Sequence, residues 1–332
     1  MYNYHSYINN DKKLSDMTIV KRGKSMAPLL YDLLTTQSHV SFGEDKIIKI
    51  ISDYLPHNKF YTDEKGNLST VVLDGTKESR VMFSCHLDTV DSSNKGIPRQ
   101  LFEDDGWIHC GIVKTKRKLI IGTETVKDTW DLNKIVKDKY KTDFDNYTVY
   151  KGKLHGTDDT LFEEWTNLDI ACEFKDYKEL SRNVLGADDK LGCYIMCRMI
   201  EQGIPGLYVF HHGEECGGVG SKWLAQNKPE FVKDVDYCVA FDRQDYGDVI
   251  TSQGRVCCSD EFANALCKQL NAYLPPKQQM SKSSGVFTDS ASYTGLIPEC
   301  TNISVGYKKQ HTSSEKFDLE WLGRHLIPAL IK

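Results

Sequence analysis

Short apolar runs that alternate with stretches of helical spacing predict an α/β fold for this 332-residue chain. The expected architecture is a mostly parallel central sheet with helices on both faces and one inserted segment. Two observations carry this. The runs 81–85, 207–211 and 235–241 are apolar throughout, as strands buried on both faces are. The stretches between and after them, including 189–202, 218–227 and 260–271, place apolar residues at helical intervals.

In chain order, 26–36 and 45–55 have helical spacing. Segments 60–62 and 68–73 read as strands flanking Asp63-Glu64-Lys65-Gly66-Asn67, a hairpin turn. Strand 81–85 follows, then helix 189–202, strand 207–211, helix 218–227, strand 235–241, helix 260–271, strand 301–306 and helix 319–331. The catalytic domain is expected in two parts, 1–91 and 183–332. Residues 92–182 break the alternation, because Asp88 and Asp188 stand 100 positions apart (188 − 88), far more than a crossover needs. This insertion holds Trp107, Trp130 and Trp165 and is expected to form a small domain or a cap over the functional edge.

The 42 basic and 47 acidic residues leave a net charge of −5, which gives no reason to expect nucleic acid as a partner. No apolar run approaches the roughly 20 residues of a membrane span, so no membrane partner is expected either. Met1-Tyr2-Asn3-Tyr4-His5 is polar and lacks a signal-type apolar segment. The 11 cysteines are an odd number with no Cys-x-x-Cys. Several fall in apolar runs (Cys85, Cys193, Cys197, Cys238), as reduced, buried thiols of a cytoplasmic protein would.

The chemistry gathers where the strands end. Glu214-Glu215 follows the apolar run Leu207-Tyr208-Val209-Phe210. Adjacent carboxylates at a buried strand end repel each other unless a cation lies beside them. His86 and Asp88 share a strand face at i and i+2. Asp188-Asp189 opens a helix, where capping accounts for one Asp better than for two. Asp242 ends strand 235–241, and His311 follows strand 301–306. In open α/β sheets, ligands bind at the edge where these segments end. Histidines and carboxylates suit Zn²⁺, Mn²⁺ or Co²⁺. The carboxylates exceed one ion's needs, which indicates two ions sharing a bridging carboxylate.

The segments His-Leu-Asp-Thr-Val-Asp (86–91), Gly-Ala-Asp-Asp-Lys-Leu-Gly (186–192), Gly-Glu-Glu-Cys-Gly-Gly-Val-Gly-Ser (213–221) and His-Thr-Ser-Ser-Glu (311–315) resemble, in this order, the di-zinc exopeptidase superfamily. Peptidase T, the co-catalytic zinc aminopeptidases and the acetylornithine-deacetylase-like amidohydrolases belong to it. The resemblance implies two Zn²⁺ per chain, with Asp188 bridging them. His86 and Asp242 would complete one site, Glu215 and His311 the other. Glu214 would be the general base and Asp88 would orient His86. The peptide bond after Asp188 is expected to be cis. The implied activity is hydrolysis of an amide bond in a short peptide, by an aminopeptidase or small-peptide peptidase. The alternatives are an amidohydrolase acting on an N-acyl amino acid and a metal-stabilised binding protein without catalysis.

One feature departs from peptidase T. Its relatives insert a lid domain between the Asp and the last His, whereas here Asp242 and His311 are 69 positions apart (311 − 242), too few for a further domain. Any oligomer is therefore expected to form by another interface. His211 and His212 are expected to be structural, and no Gly-x-Ser-x-Gly nucleophile elbow occurs. Asp289, in the Gly-rich Thr-Asp segment, is a candidate for shaping the pocket. Arg243 is a candidate for holding a substrate carboxylate or for neutralising the acidic cluster.

Overall fold

The computed structural model describes residues 18–36, 43–75, 80–90, 99–123, 147–150, 153–156 and 170–332. Its strands are β1 (Thr18–Ile19), β2 (Tyr61–Thr62), β3 (Leu68–Val72), β4 (Val81–His86), β5 (Arg99–Asp104), β6 (Trp107–Thr123), β7 (Tyr147–Tyr150), β8 (Lys153–Gly156) and β9 (Ile170–Asn183). Beyond these come β10 (Gly206–His211), β11 (Tyr237–Arg243), β12 (Asp248–Gln253), β13 (Ser281–Gly285), β14 (Glu299–Ser304), β15 (Tyr307–Lys308) and β16 (Lys316–Asp318).

The main sheet has the order β13-β12-β14-β11-β4-β10-β3-β2. Its centre, β14-β11-β4-β10, is parallel, and antiparallel pairs occur towards both edges. Period-two alternation sends side chains to two covered faces. From β10, Tyr208 and Phe210 enter the larger apolar core, while Leu207 and Val209 enter a second one on the other face. Helix Ala187–Glu201 packs on β4 and β11 and is itself covered by helix Pro28–Thr35. Enclosed on both sides, it is buried over nearly its whole length. Helix Asp45–Tyr54 adds Ile47 and Ile51, one turn apart. On the second face lies helix Val219–Asn227, which contributes Leu224. Helix Asp260–Asn271 is capped by the Ser259 hydroxyl, which accepts from Phe262 N at 3.1 Å.

The C-terminal helix runs through three segments, Leu319–Trp321, Leu322–Leu326 and Ile327–Leu330, the middle one π-helical. Pro328 lacks the N–H that would continue the regular ladder, which accounts for the wider turn before it. The edge strand β13 and its neighbour β12 were not anticipated from the sequence. Contact clustering divides the chain into two compact units, residues 1–113 with 180–332 and residues 114–179. In the first, β5 and the start of β6 pair with each other and with β1 and β16, and Leu101, Ile108 and Cys110 join the larger core. In the second lies the antiparallel hairpin β7/β8. Trp130 and Trp165 lie outside the described residues. Residues 114–179 form a compact unit of their own. Replacing 114–179 by a short Gly/Ser linker is therefore expected to leave a cooperatively unfolding protein, since closure entropy changes slowly with loop length. Circular dichroism showing an unfolded chain would contradict this.

The described cysteines are all free, and all but Cys216 are buried. Among the described residues, no helix is long and apolar enough to cross a membrane.

Gly192, which closes the Gly-Ala-Asp-Asp-Lys-Leu-Gly segment, marks a close approach. A Cβ there would stand 2.5 Å from both Asp189 carboxylate oxygens and from the Phe241 carbonyl. Gly192→Ala is expected to cost about 1–3 kcal/mol, the usual range for overpacking a tight site. A urea midpoint equal to that of the parent would show that the helix can shift away from the sheet.

Candidate metal centre

The site forms where β4, β10 and β11 end and the segments 186–189 and 307–315 arrive. His86, the last residue of β4, is buried and points its Nε2 at Asp188 Oδ1, 3.0 Å away. The other oxygen of Asp188, Oδ2, lies 3.2 Å from His311 Nε2. One carboxylate thus stands between two imidazoles. His86 Nε2 is also 3.7 Å from Asp242 Oδ1, and His311 Nε2 is 2.9 Å from Glu215 Oε1. The structure brings His86, Asp188, Glu215, Asp242 and His311 into one cluster, with Glu214 lining the adjoining cleft. His311 is 47% exposed and has φ of 61°, so it reaches the cluster from a strained turn at the surface.

Asp88 ties two strand ends together. Its carboxylate is fully buried and accepts from Glu214 N at 3.0 Å and Glu215 N at 3.1 Å. His86 Nδ1 is 2.9 Å from the Asp88 backbone carbonyl and 3.3 Å from its Oδ1. The side chain therefore sets the Glu-Glu loop, while the closer partner of the imidazole is main-chain. The Asp188–Asp189 peptide bond is cis. Asp189 is committed to backbone: Oδ1 accepts from Gly192 N at 3.0 Å and Oδ2 from His86 N at 3.2 Å.

Several supporting residues went unnoticed in the sequence. Glu315, fully buried, accepts from Gly186 N at 2.7 Å and Asp188 N at 3.1 Å and so fixes the backbone beneath Asp188. It stands in the His-Thr-Ser-Ser-Glu segment, which was its only signal. The β11–β14 ladder shifts register between Ala240 and Arg243. There the Asn302 carboxamide takes over, accepting from Asp242 N at 2.9 Å and donating to Asp242 O at 2.6 Å. Such a break re-aims a side chain. The Asp242 carboxylate then receives the hydroxyls of Thr288 and of Tyr307, the latter at 3.1 Å.

His211 and His212 are structural. His211 lies between Asn67 and Tyr293, each at 3.4 Å, and burial holds it neutral with its pKa pushed down to about 3. His212 Nδ1 is 3.0 Å from Glu44. Asp289 is buried, and burial pushes its pKa up to about 8. It does not line the cleft.

Electrostatics tests whether a cation fits. Burial pushes Glu214 up to about 9; His86 opposes this, and the charges of Asp242, Asp289 and Glu215 add to it. Burial and Asp188 raise Asp242. Hydrogen bonds to Asp188 and Glu215 raise His311 to about 10. The carboxylates Asp242, Asp289 and Glu215 raise Glu214 through like-charge repulsion, and a bound cation would relieve it. Glu215 Oε1 is buried against His311 Nε2, 2.9 Å away. The described residues include two triplets of donors within 4.8 Å, His86-Asp188-Glu215 and His86-Asp189-Asp242. The donor set is nitrogen and oxygen only, in tight mutual range, and it fits divalent cations of the zinc type.

No family model matches the sequence, and no curated protein does. Solved structures do. Pyrococcus horikoshii TET1 peptidase aligns over 91% of this chain and 99% of its own, at 18% identity and TM-score 0.51. The TET aminopeptidase from the marine sediment archaeon Thaumarchaeota archaeon SCGC AB-539-E09 aligns over 91% and 94%, at 16% and 0.52. A tripeptidase from Staphylococcus aureus aligns over 91% and 95%, at 14% and 0.51. At such identities the likeness is one of fold. The chain therefore shares the fold of these peptidases.

Proposed function

We propose that this protein is a two-zinc peptidase that removes the N-terminal residue from short peptides. The observation that carries the proposal is the Asp188 carboxylate, one oxygen facing His86 at 3.0 Å and the other His311 at 3.2 Å. This is the arrangement a carboxylate shared by two cations requires. His86 and Asp242 would hold one ion with it, and Glu215 and His311 the other. Asp242 is preferred to Asp189 because both Asp189 oxygens already accept backbone N–H groups. When bound, two such ions acidify water and polarise a scissile carbonyl.

The chain's own residues supply the proton transfer. Glu214 is held by its backbone N–H on Asp88 and lines the cleft beside Asp188 and Asp242. Its carboxylate takes a proton from the attacking water and returns it to the leaving amine. Asp88 keeps Glu214 and Glu215 on their separate tasks, because its two oxygens hold the two successive N–H groups. The cleft opens to solvent beside Asp188, Glu214 and Asp242.

The test is turnover by zinc-supplemented protein of free-amine di- and tripeptides against N-acetyl amino acids. The proposal expects hydrolysis of the first group. Hydrolysis of the second group alone would make the protein an amidohydrolase. No turnover with Zn²⁺, Mn²⁺ or Co²⁺ would leave a metal-stabilised binding protein.

A further inference from the structure

Among the described residues, Arg243 is the only Arg or Lys that lines the cleft. Neighbours on a regular strand point to opposite faces. The register break between Ala240 and Arg243 lets Asp242 and Arg243 both border the same space. The guanidinium is anchored at one corner, where Nε donates to Asp248 Oδ2 at 2.8 Å. Asp248 is fixed in turn, its N–H donating to Ser304 Oγ at 3.1 Å. The two terminal nitrogens of Arg243 hydrogen-bond no group among the described residues, and the side chain is 22% exposed. Gln244 and Gln310 bring side-chain amides to the same cleft.

A guanidinium held at Nε with its terminal nitrogens available is a pre-set fork for a carboxylate. We propose that Arg243 binds the carboxylate at the C-terminal end of the substrate, so that the protein selects di- and tripeptides with a free α-carboxyl group. This rests on the peptidase reading above and adds the substrate class. Arg243 directly follows Asp242, so its guanidinium lies within one side-chain length of the carboxylate cluster. An extended residue spans about 3.5 Å, so one or two residues beyond the scissile bond bring the terminal carboxylate to the fork. The Asp248 partner leaves the pair neutral overall, and the fork offers direction as well as charge.

The experiment compares trialanine, trialanine amide and Ala-Ala-Asp amide with zinc-supplemented protein. Both kcat/KM and calorimetric affinity are measured, the latter on the Glu214→Gln variant. Trialanine is expected to exceed its amide by about tenfold to a hundredfold, the range of charge-assisted hydrogen bonds. Ala-Ala-Asp amide is expected to behave like trialanine amide, and recovery of the full preference would mean that an acidic side chain is what Arg243 binds. Arg243→Ala should bring the trialanine-to-amide ratio to within about threefold of unity. Arg243→Lys keeps a cation beside Asp248 but has no fork, and it should give an intermediate ratio, which carries the test if the Ala variant does not fold. Equal turnover of trialanine and its amide by the parent protein would overturn the inference and leave the peptidase reading standing. Absence of turnover would count against that reading, and the binding ratio would still decide the role of Arg243: equal affinities, or no binding of either peptide, overturn it.

Discussion

Glu214→Gln is expected to lower kcat on a short peptide by about two to four orders of magnitude, the usual worth of a positioned general base. Metal content should be unchanged. Glutamine keeps the size of the side chain and the backbone N–H that binds Asp88 at 3.0 Å, so the loop retains its shape. What is lost is the carboxylate that accepts the proton. The neighbouring Glu215 is not expected to substitute, because its Oε1 is engaged 2.9 Å from His311. Near-full activity in the variant, with two metals retained, would remove Glu214 from the mechanism.

Asp188→Ala has the second large effect. It removes the one group placed between the two histidines, and with it one ligand from each proposed site. Metal content after dialysis is expected to fall below two per chain, and peptide hydrolysis should fall to background. The backbone should hold, because Glu315 still accepts from Gly186 N and from the N–H of residue 188. Two tightly held ions in the variant would show that Asp188 does not bridge.

Most of the donors were legible because strand ends are simple geometry. An apolar run that stops at His86, Glu214 or Asp242 tells which edge of the sheet the residue occupies, and β4, β10 and β11 bear this out as neighbours in one sheet. Helix positions followed from spacing, and the turn at 63–67 joins β2 to β3 as its residues implied. The supporting layer was hidden because it depends on pairs distant in sequence. Asn302 replaces ladder bonds at Asp242 across 60 positions, and Glu315 holds the 186–188 backbone across 127. Nothing local to either residue announces such a partner. The Asp188-Asp189 pair was ambiguous for a related reason. Only the fold shows that Asp189 is consumed by His86 N and Gly192 N, leaving Asp188 to face the histidines. The short polar strand β13 lacks the apolar run that marks a central strand.

The account stands on two cations sharing Asp188, and anomalous diffraction at the zinc edge from zinc-loaded crystals tests it most directly. Two peaks are expected on either side of the Asp188 carboxylate, one beside His86 and Asp242 and the other beside Glu215 and His311. A single peak, or peaks away from Asp188, would contradict it.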